Sequence, residues 1–291
     1  MIKYYIPDFV KNHNVNLMLL NLMEDRPYLF YDDFEIGAVF GNFPNCTWNG
    51  GRAIWGRCYN KYEQQAISEE FNTRGVPLRL VMTNLELTKN DVHDRYANYI
   101  MKNLHNGFNQ VLVASPILEE YIRKEYYAYP IVRSILAAED IYYDDSDKYL
   151  MSVLKRNKNI DIDFLQSIEH KEKVEILVNE TCHKDCTREY DHYRALSKIQ
   201  LFQEEESFPD AQCVWGDCRI NRRNNPYMIS RQKIKEIYEP MGFCNFKLAG
   251  RGNGQKTILD YAHYMVKPEH QYEFMEIMIL QVATDFAREN H

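Results

Sequence analysis

Apolar runs rich in β-branched residues alternate along this chain with longer stretches of helical period, a pattern that predicts parallel strands joined by helices. The strands expected are Phe34 to Phe40, Leu78 to Thr83, Gln110 to Ala114, Ile131 to Leu136, Tyr149 to Leu154, Val174 to Val178, Tyr227 to Ile229 and Asn245 to Ala249. Between them, Glu63 to Thr73 reads as a helix stopped at Gly75-Val76-Pro77, and Asp91 to Leu104 as one stopped at Asn106-Gly107. A third, Arg231 to Glu239, is capped by Ser230 and closed by Gly242. Eight strand–helix units over about 250 residues predict an α/β fold of the (β/α)8 TIM-barrel type. An open doubly wound sheet is the competing architecture. No repeat with a period of roughly 20–50 residues and no Gly/Ser/Pro-rich linker divides the chain. One domain over residues 1–291 is therefore expected, with a peripheral N-terminal helix at about 7–24 and a C-terminal helix at about 270–288.

Composition narrows the function classes. With 45% apolar and 26% charged residues the chain can bury a full core, which excludes disorder. The formal charge is −7, from 35 basic and 42 acidic residues, so nothing draws the whole molecule to phosphate polyanions and a dedicated DNA binder is not expected. The opening Met-Ile-Lys-Tyr-Tyr-Ile-Pro lacks the features of a secretory leader, and no run approaches the roughly 18 apolar residues that span a bilayer. A cytoplasmic chain without a membrane segment is the expectation. In such a compartment the seven cysteines stay reduced, leaving metal binding or buried thiols as their roles.

In a barrel, chemistry belongs at the carboxyl ends of the strands. Those ends carry Asn45-Cys46 and Gly50-Gly51-Arg52, Asn84, Ser115, Glu139 and Asp140, Asn179-Glu180, and Gly250-Arg251-Gly252. Taken singly each is a turn or cap residue; together they make a polar rim. The planar guanidinium of Arg52 or Arg251 suits a carboxylate or phosphate, so Arg52, Asn84, Gly250 and Gly252 are candidate substrate-binding residues for a small anionic ligand. Gly250 to Gly254, ahead of a helix near Lys256, has the makings of a phosphate loop or of an ordinary turn.

Four of the cysteines form two close pairs, Cys182 with Cys186 and Cys213 with Cys218. Two pairs can supply the four thiolates that zinc or an iron–sulfur cluster needs, although neither pair has the two-residue interval of the common zinc ribbon. His183 or His192 could replace a thiol in a zinc site, and Cys46 is an alternative fourth ligand. Cys58 and Cys244 read as core or near-core thiols.

Several blocks together resemble the U32-type collagenase-like peptidases of unknown catalytic type and the related iron–sulfur proteins of oxygen-independent hydroxylation. They are Phe40-Gly41 with Gly50-Gly51-Arg52, Pro77-Leu78-Arg79 to Thr83-Asn84, Val111 to Pro116, Val174 to Cys182, and Phe246-Lys247-Leu248-Ala249-Gly250-Arg251. The resemblance implies a TIM-barrel-like fold and, in the hydroxylation branch, a 4Fe-4S cluster on four cysteines, with ubiquinone precursors or RNA bases as substrates. Cys182 and Cys186 carry over best, Cys218 next and Cys213 least. On this reading Asn179, Glu180 and Arg251 are the candidate catalytic residues, and the substrate is a small molecule or nucleobase.

Other chemistries have less to stand on. A cysteine peptidase could pair Cys182 with His192. A zinc peptidase would need a His-Glu-x-x-His helix, which the chain lacks. A non-catalytic, metal-stabilised scaffold with a protein partner is the remaining alternative, for which the 22 tyrosines would furnish contact surface.

Overall fold

The computed structural model describes residues 1–137, 148–183, 186–202, 225–250 and 254–289, with side chains described as far as residue 280. Eight strands pair in chain order, all parallel: β1 (Ile2–Pro7), β2 (Phe34–Gly41), β3 (Leu78–Met82), β4 (Gln110–Val113), β5 (Ile131–Arg133), β6 (Met151–Val153), β7 (Val174–Leu177) and β8 (Asn245–Lys247). β8 returns to pair with β1 and closes the barrel, so the open sheet is excluded.

Helices α1 (His13–Asp25), α2 (Lys61–Asn72), α3 (Arg95–Asn103), α4 (Pro116–Glu125) and α5 (Ile162–Ser167) fall between successive strands. Their starts are chemically marked. Asn60 and Glu63 form a reciprocal capping box on α2, Asp94 accepts from the Ala97 amide at 2.7 Å, Pro116 opens α4, and Asp161 accepts from the Phe164 amide at 3.1 Å. After β7 come α6 (Glu189–Phe202), then α7 (Arg231–Lys233), a π turn at Ile234–Tyr238 and α8 (Glu239–Met241). α9 (Gly254–Met265) and α10 (Gln271–Glu289) follow β8. No helix among the described residues is long and apolar enough to cross a membrane.

Two expectations are corrected. The opening residues, read as preceding the barrel, are its first strand, so the N-terminal helix is not peripheral: α1 is the crossover from β1 to β2. Tyr227 to Ile229 is not a barrel strand; Met228 makes an isolated antiparallel bridge to Asn179, and the Ile229 amide donates to Val178 O at 2.8 Å. Both segments are short apolar runs, and which one enters the barrel depends on the partners that tertiary packing brings beside it.

Strand side chains alternate between the helix layer and the lumen. The outward set, such as Ile2, Leu78, Leu80, Val111, Val174 and Ile176, joins the main core with the helices. Each such fully buried Val, Leu or Ile is worth about 1.5–3 kcal/mol of transfer free energy. A separate cluster from strands alone, Tyr5, Ala38, Phe40, Val81, Leu112, Val132, Met151 and Val153, fills the interior. The pairing of β1 with β2 slips one residue at Gly37, where a Cβ would stand 2.7 Å from the Tyr5 ring. Glycine there lets Tyr5 enter the lumen.

Candidate functional site

The carboxyl ends of β6 and β7 bring together a charged cluster. Arg156, three residues past β6 and 4% exposed, sets its guanidinium 3.3 Å from Glu189 on α6, donates to Cys186 O at 3.1 Å, and lies 5.8 Å from the Tyr227 ring centroid. Its charge also acts on the Cys182 thiol. Glu180 Oε1 accepts from the Thr181 and Cys182 amides at 2.7 and 2.9 Å, which folds the loop after β7 back on itself. Asn225 clasps the same loop from the other side of the chain, donating to Glu180 O at 3.2 Å and Cys182 O at 3.0 Å.

The electrostatics follow from burial. Burial pushes the Cys182 thiol up to about 12; Arg156 opposes this, while Glu180 and the neighbouring Cys186 add to it. Burial works against the Arg156 charge, yet Glu189, Cys182 and Glu180 together hold it firmly protonated. Burial raises the Glu189 carboxyl and the Tyr193 hydroxyl, both near these carboxylates. Cys182 is therefore a protonated thiol beside a guanidinium that cannot accept a proton, poorly suited to act as an unaided nucleophile.

α6 runs across the mouth. Its first residue meets Arg156 beyond β6, while its later turns dock on the loops after β2 and β3, on the far side of the eight-stranded ring. There Asn84 Nδ2 donates to Ser197 O at 3.0 Å and Leu85 N to Ser197 Oγ at 3.1 Å, and Gln200 Nε2 donates to Cys46 O at 3.1 Å. The loop after β2 lies flat enough to be received because Gly50 has no side chain: a Cβ there would be 2.3 Å from Thr83 O.

The residues expected on the rim divide sharply. Asn179 is 1% exposed and donates to Ala249 O at 2.8 Å and Asp260 at 2.7 Å while accepting from the Ala249 amide at 2.6 Å, so its amide ties the ends of β7 and β8. Asn84, fully buried, donates to Thr47 O and Ser197 O and accepts from the Glu86 amide. Arg52 is exposed, on the loop after β2. Gly250 is buried just beyond β8, its carbonyl accepting from Thr257 Oγ1 at 3.4 Å. Cys182, Cys186 and Glu180 share the Arg156 cluster. Cys46 is buried in the main core against Met82, sulfur to sulfur 3.9 Å, and Cys58 is exposed rather than core. Glu139, Asp140, Cys213, Cys218, Arg251 and Gly252 lie outside the described residues.

Arg156, Glu189 and Tyr227 were missed by sequence reasoning. Arg156 was within its reach, since Leu154-Lys155-Arg156 ends an expected strand and the strand-end rule applies to it; Glu189 and Tyr227 arrive only through the return of the chain over the mouth. Among the described residues no group of three or more His, Cys, Asp or Glu side chains is arranged to hold a metal ion. Cys182 and Cys186 fit such a centre in kind, two soft thiols in one loop, and supply half the ligands that a tetrahedral or cubane centre needs.

No protein-family model matches this chain, and no curated protein sequence does. Among solved structures, that of the U32 peptidase Mk0906 is similar, with a TM-score of 0.50 at 14% identity, over 86% of this chain and 93% of that one. At that identity the likeness is one of fold: a U32-peptidase-like barrel.

Proposed function

We propose that this U32-peptidase-like barrel is an enzyme whose mouth carries a thiolate-ligated 4Fe-4S cluster, held by Cys182 and Cys186 with Cys213 and Cys218 as the remaining ligands. It would modify a small anionic or nucleobase substrate, in the class of oxygen-independent hydroxylations. The observation that carries this reading is the convergence of Cys182 and Cys186 on Arg156 at the carboxyl ends of β6 and β7. Asn225, seven residues after Cys218 in the sequence, is tied to the Cys182 carbonyl, which supports a common centre for the two pairs. When bound, a cluster would supply one-electron transfer. The chain's own part is to keep thiolates paired with the Arg156 cation, to use Tyr193 as a neutral hydroxyl donor near them, and to cover the mouth with α6.

Zinc is the alternative occupant of the same thiols. Peptide hydrolysis is a second reading, supported by the name of the structural neighbour and opposed by the pairing of Cys182 with an arginine instead of a base. Anaerobic purification followed by iron, sulfide and zinc analysis separates the three. Iron and sulfide in the wild type, largely lost in both Cys182→Ser and Cys186→Ser and retained in Cys58→Ser, is the expected outcome. Zinc without sulfide would replace the cluster with a structural site. Metal retained in full by both variants would remove the reading altogether, and cleavage of a peptide by metal-free protein would favour the peptidase.

A further inference from the structure

The loop after β2 differs in charge from the rest of the chain. Between Glu35 and Glu63 there is no acidic residue, whereas Arg52, Arg57 and Lys61 are basic, in a molecule whose formal charge is −7. The last part of this stretch faces water: residues 55–58 and 60–62 are exposed, Tyr62 at 81% and Trp55 at 38%. Tyr99 on α3 joins them, its ring stacked at 6.4 Å on that of Tyr96, whose hydroxyl accepts from the Tyr59 amide at 2.9 Å. Glu63, the acid that ends the stretch, is engaged by Arg57 at 2.6 Å and by the Asn60 amide at 2.8 Å. Lys61 forms no ion pair among the described residues. Arg57 stays well exposed beside Glu63, and an exposed pair of this kind is weak enough in water for a second carboxylate to join it.

The backbone of this loop is held from beneath. Asn49 donates to Arg52 O at 2.6 Å, Asn45 to Gly56 O at 2.6 Å and Gln64 to Tyr59 O at 2.9 Å. Gln200 of α6 spans Ile54, accepting from its amide at 2.6 Å and donating to its carbonyl at 3.3 Å, and both residues are buried. A loop fixed through its main chain loses little further entropy when its outward side chains are covered. Trp, Tyr and Arg are also the residue types that carry most of the binding energy in protein interfaces. The ring faces on which bases would stack are taken: Arg57 lies 4.0 Å over the Tyr59 ring, and Tyr96 and Tyr99 stack on each other. That arrangement disfavours a polynucleotide, as does the acidic remainder of the molecule, which would repel a phosphate backbone running beyond the patch. A short acidic segment needs only the patch.

We infer that this surface docks a partner protein through an acidic segment bearing an aromatic or aliphatic anchor, its carboxylates meeting Arg57 and Lys61 and its anchor lying against Trp55 and Tyr62. Because Gln200 ties α6 to the residue before Trp55, the docked segment abuts the strap over the mouth. The inference goes beyond the thiol-site reading and needs no metal.

The test uses the full chain with three polymers as probes, a random glutamate-tyrosine copolymer, poly-L-glutamate and poly(U), by titration calorimetry at low salt. The copolymer is expected to bind saturably and more tightly than either of the others. Trp55→Ala should weaken it by about tenfold or more, the effect of removing an interface anchor. Lys61→Glu places an acid at the first residue of α2, where the helix dipole favours one, and should weaken binding several-fold and flatten its salt dependence. Lys124→Glu, in the last turn of α4, should leave it unchanged. Should either patch variant fail to fold, the wild type decides by alkylation with iodoacetamide, in which the exposed Cys58 sulfur displaces iodide. Bound copolymer should slow that reaction at Cys58 and leave it unchanged at Cys244, which precedes β8 at the opposite end of the barrel. No saturable binding of the copolymer, equal binding of poly-L-glutamate, undiminished binding in either patch variant, or unslowed alkylation of Cys58 would overturn the inference. Tighter binding of poly(U) would overturn it in favour of a nucleic-acid surface. None of these outcomes reads metal content, so failure here is distinct from failure of the thiol site.

Discussion

Asp8 condenses how single residues are used at the barrel rim. It holds φ at +66°, a region costly for most side chains but tolerated by Asp and Asn. Oδ1 accepts from the Val10 and Lys11 amides at 3.2 and 2.9 Å, while Oδ2 is buried without a partner. Asp8→Asn keeps an accepting oxygen and the left-handed backbone but puts an amide NH2 in the buried, partnerless place of Oδ2 and takes the charge off the two accepted bonds, so it should destabilise the protein by about 1 kcal/mol, a fall of a few degrees in Tm. Thermal unfolding followed by circular dichroism checks this; a rise in Tm would mean that burying the charge outweighs the two amide bonds it strengthens. Asn179 and Asn84 teach the complementary lesson. Strand-end asparagines look like substrate ligands in sequence, yet both have their amides engaged in joining elements, which is why residue type and position alone did not distinguish a binding group from a structural tie.

At the level of elements the instructive one is α6, the strap over the mouth. Its exposed pair, Arg194 with Glu86, is worth little in water. Its buried polar ties matter more, because an amide left without a partner keeps its desolvation penalty. Asn84→Ala, which removes donors to Thr47 O and Ser197 O, should cost about 1–3 kcal/mol. The loss should be local: amide hydrogen exchange in α6 should accelerate, with β1 to β8 protected as before, whereas uniform acceleration would show that α6 is integral to the barrel's own cooperativity. The predicted cap at Ser230 was legible, and its hydroxyl accepts from the Lys233 amide at 3.2 Å. The path of α6 was not, because its contacts join residues more than a hundred positions apart in sequence.

For the molecule as a whole, the lumen network sets a pH dependence. Burial alone would raise the Glu175 carboxyl, but Arg79 and Lys247 outweigh it and hold the group below the usual carboxylate range. Its folded pKa is thus lowered, so its contribution to stability is fully present above the unfolded value near 4.3 and is lost as pH falls through the lower folded value. Glu189 has the opposite sign: its raised pKa favours the folded state below the unfolded value, and that contribution is lost as pH rises through the folded one. Urea midpoints should therefore fall steeply below about pH 4 in the wild type and less steeply in Glu175→Gln. Equal slopes would show that other carboxylates govern acid unfolding. At neutral pH Glu175→Leu, which takes the buried carboxylate away from the wholly buried Arg79, should cost about 3–5 kcal/mol in the same assay.

The sequence by itself determined the α/β alternation, seven of the eight barrel strands, the helix stops and the thiol-bearing loop after β7, because hydrophobic period, cap chemistry and residue spacing are local properties of the chain. Only the tertiary structure decided that Ile2–Pro7 is a strand while Tyr227 to Ile229 is a bridge, since a strand exists by virtue of the neighbours that hydrogen-bond to it. It likewise decided that Arg79, Glu175 and Lys247 face one another inside the ring. They are 96 and 72 residues apart along the chain, and their charges are tolerated there only because closure of the barrel brings each to the others.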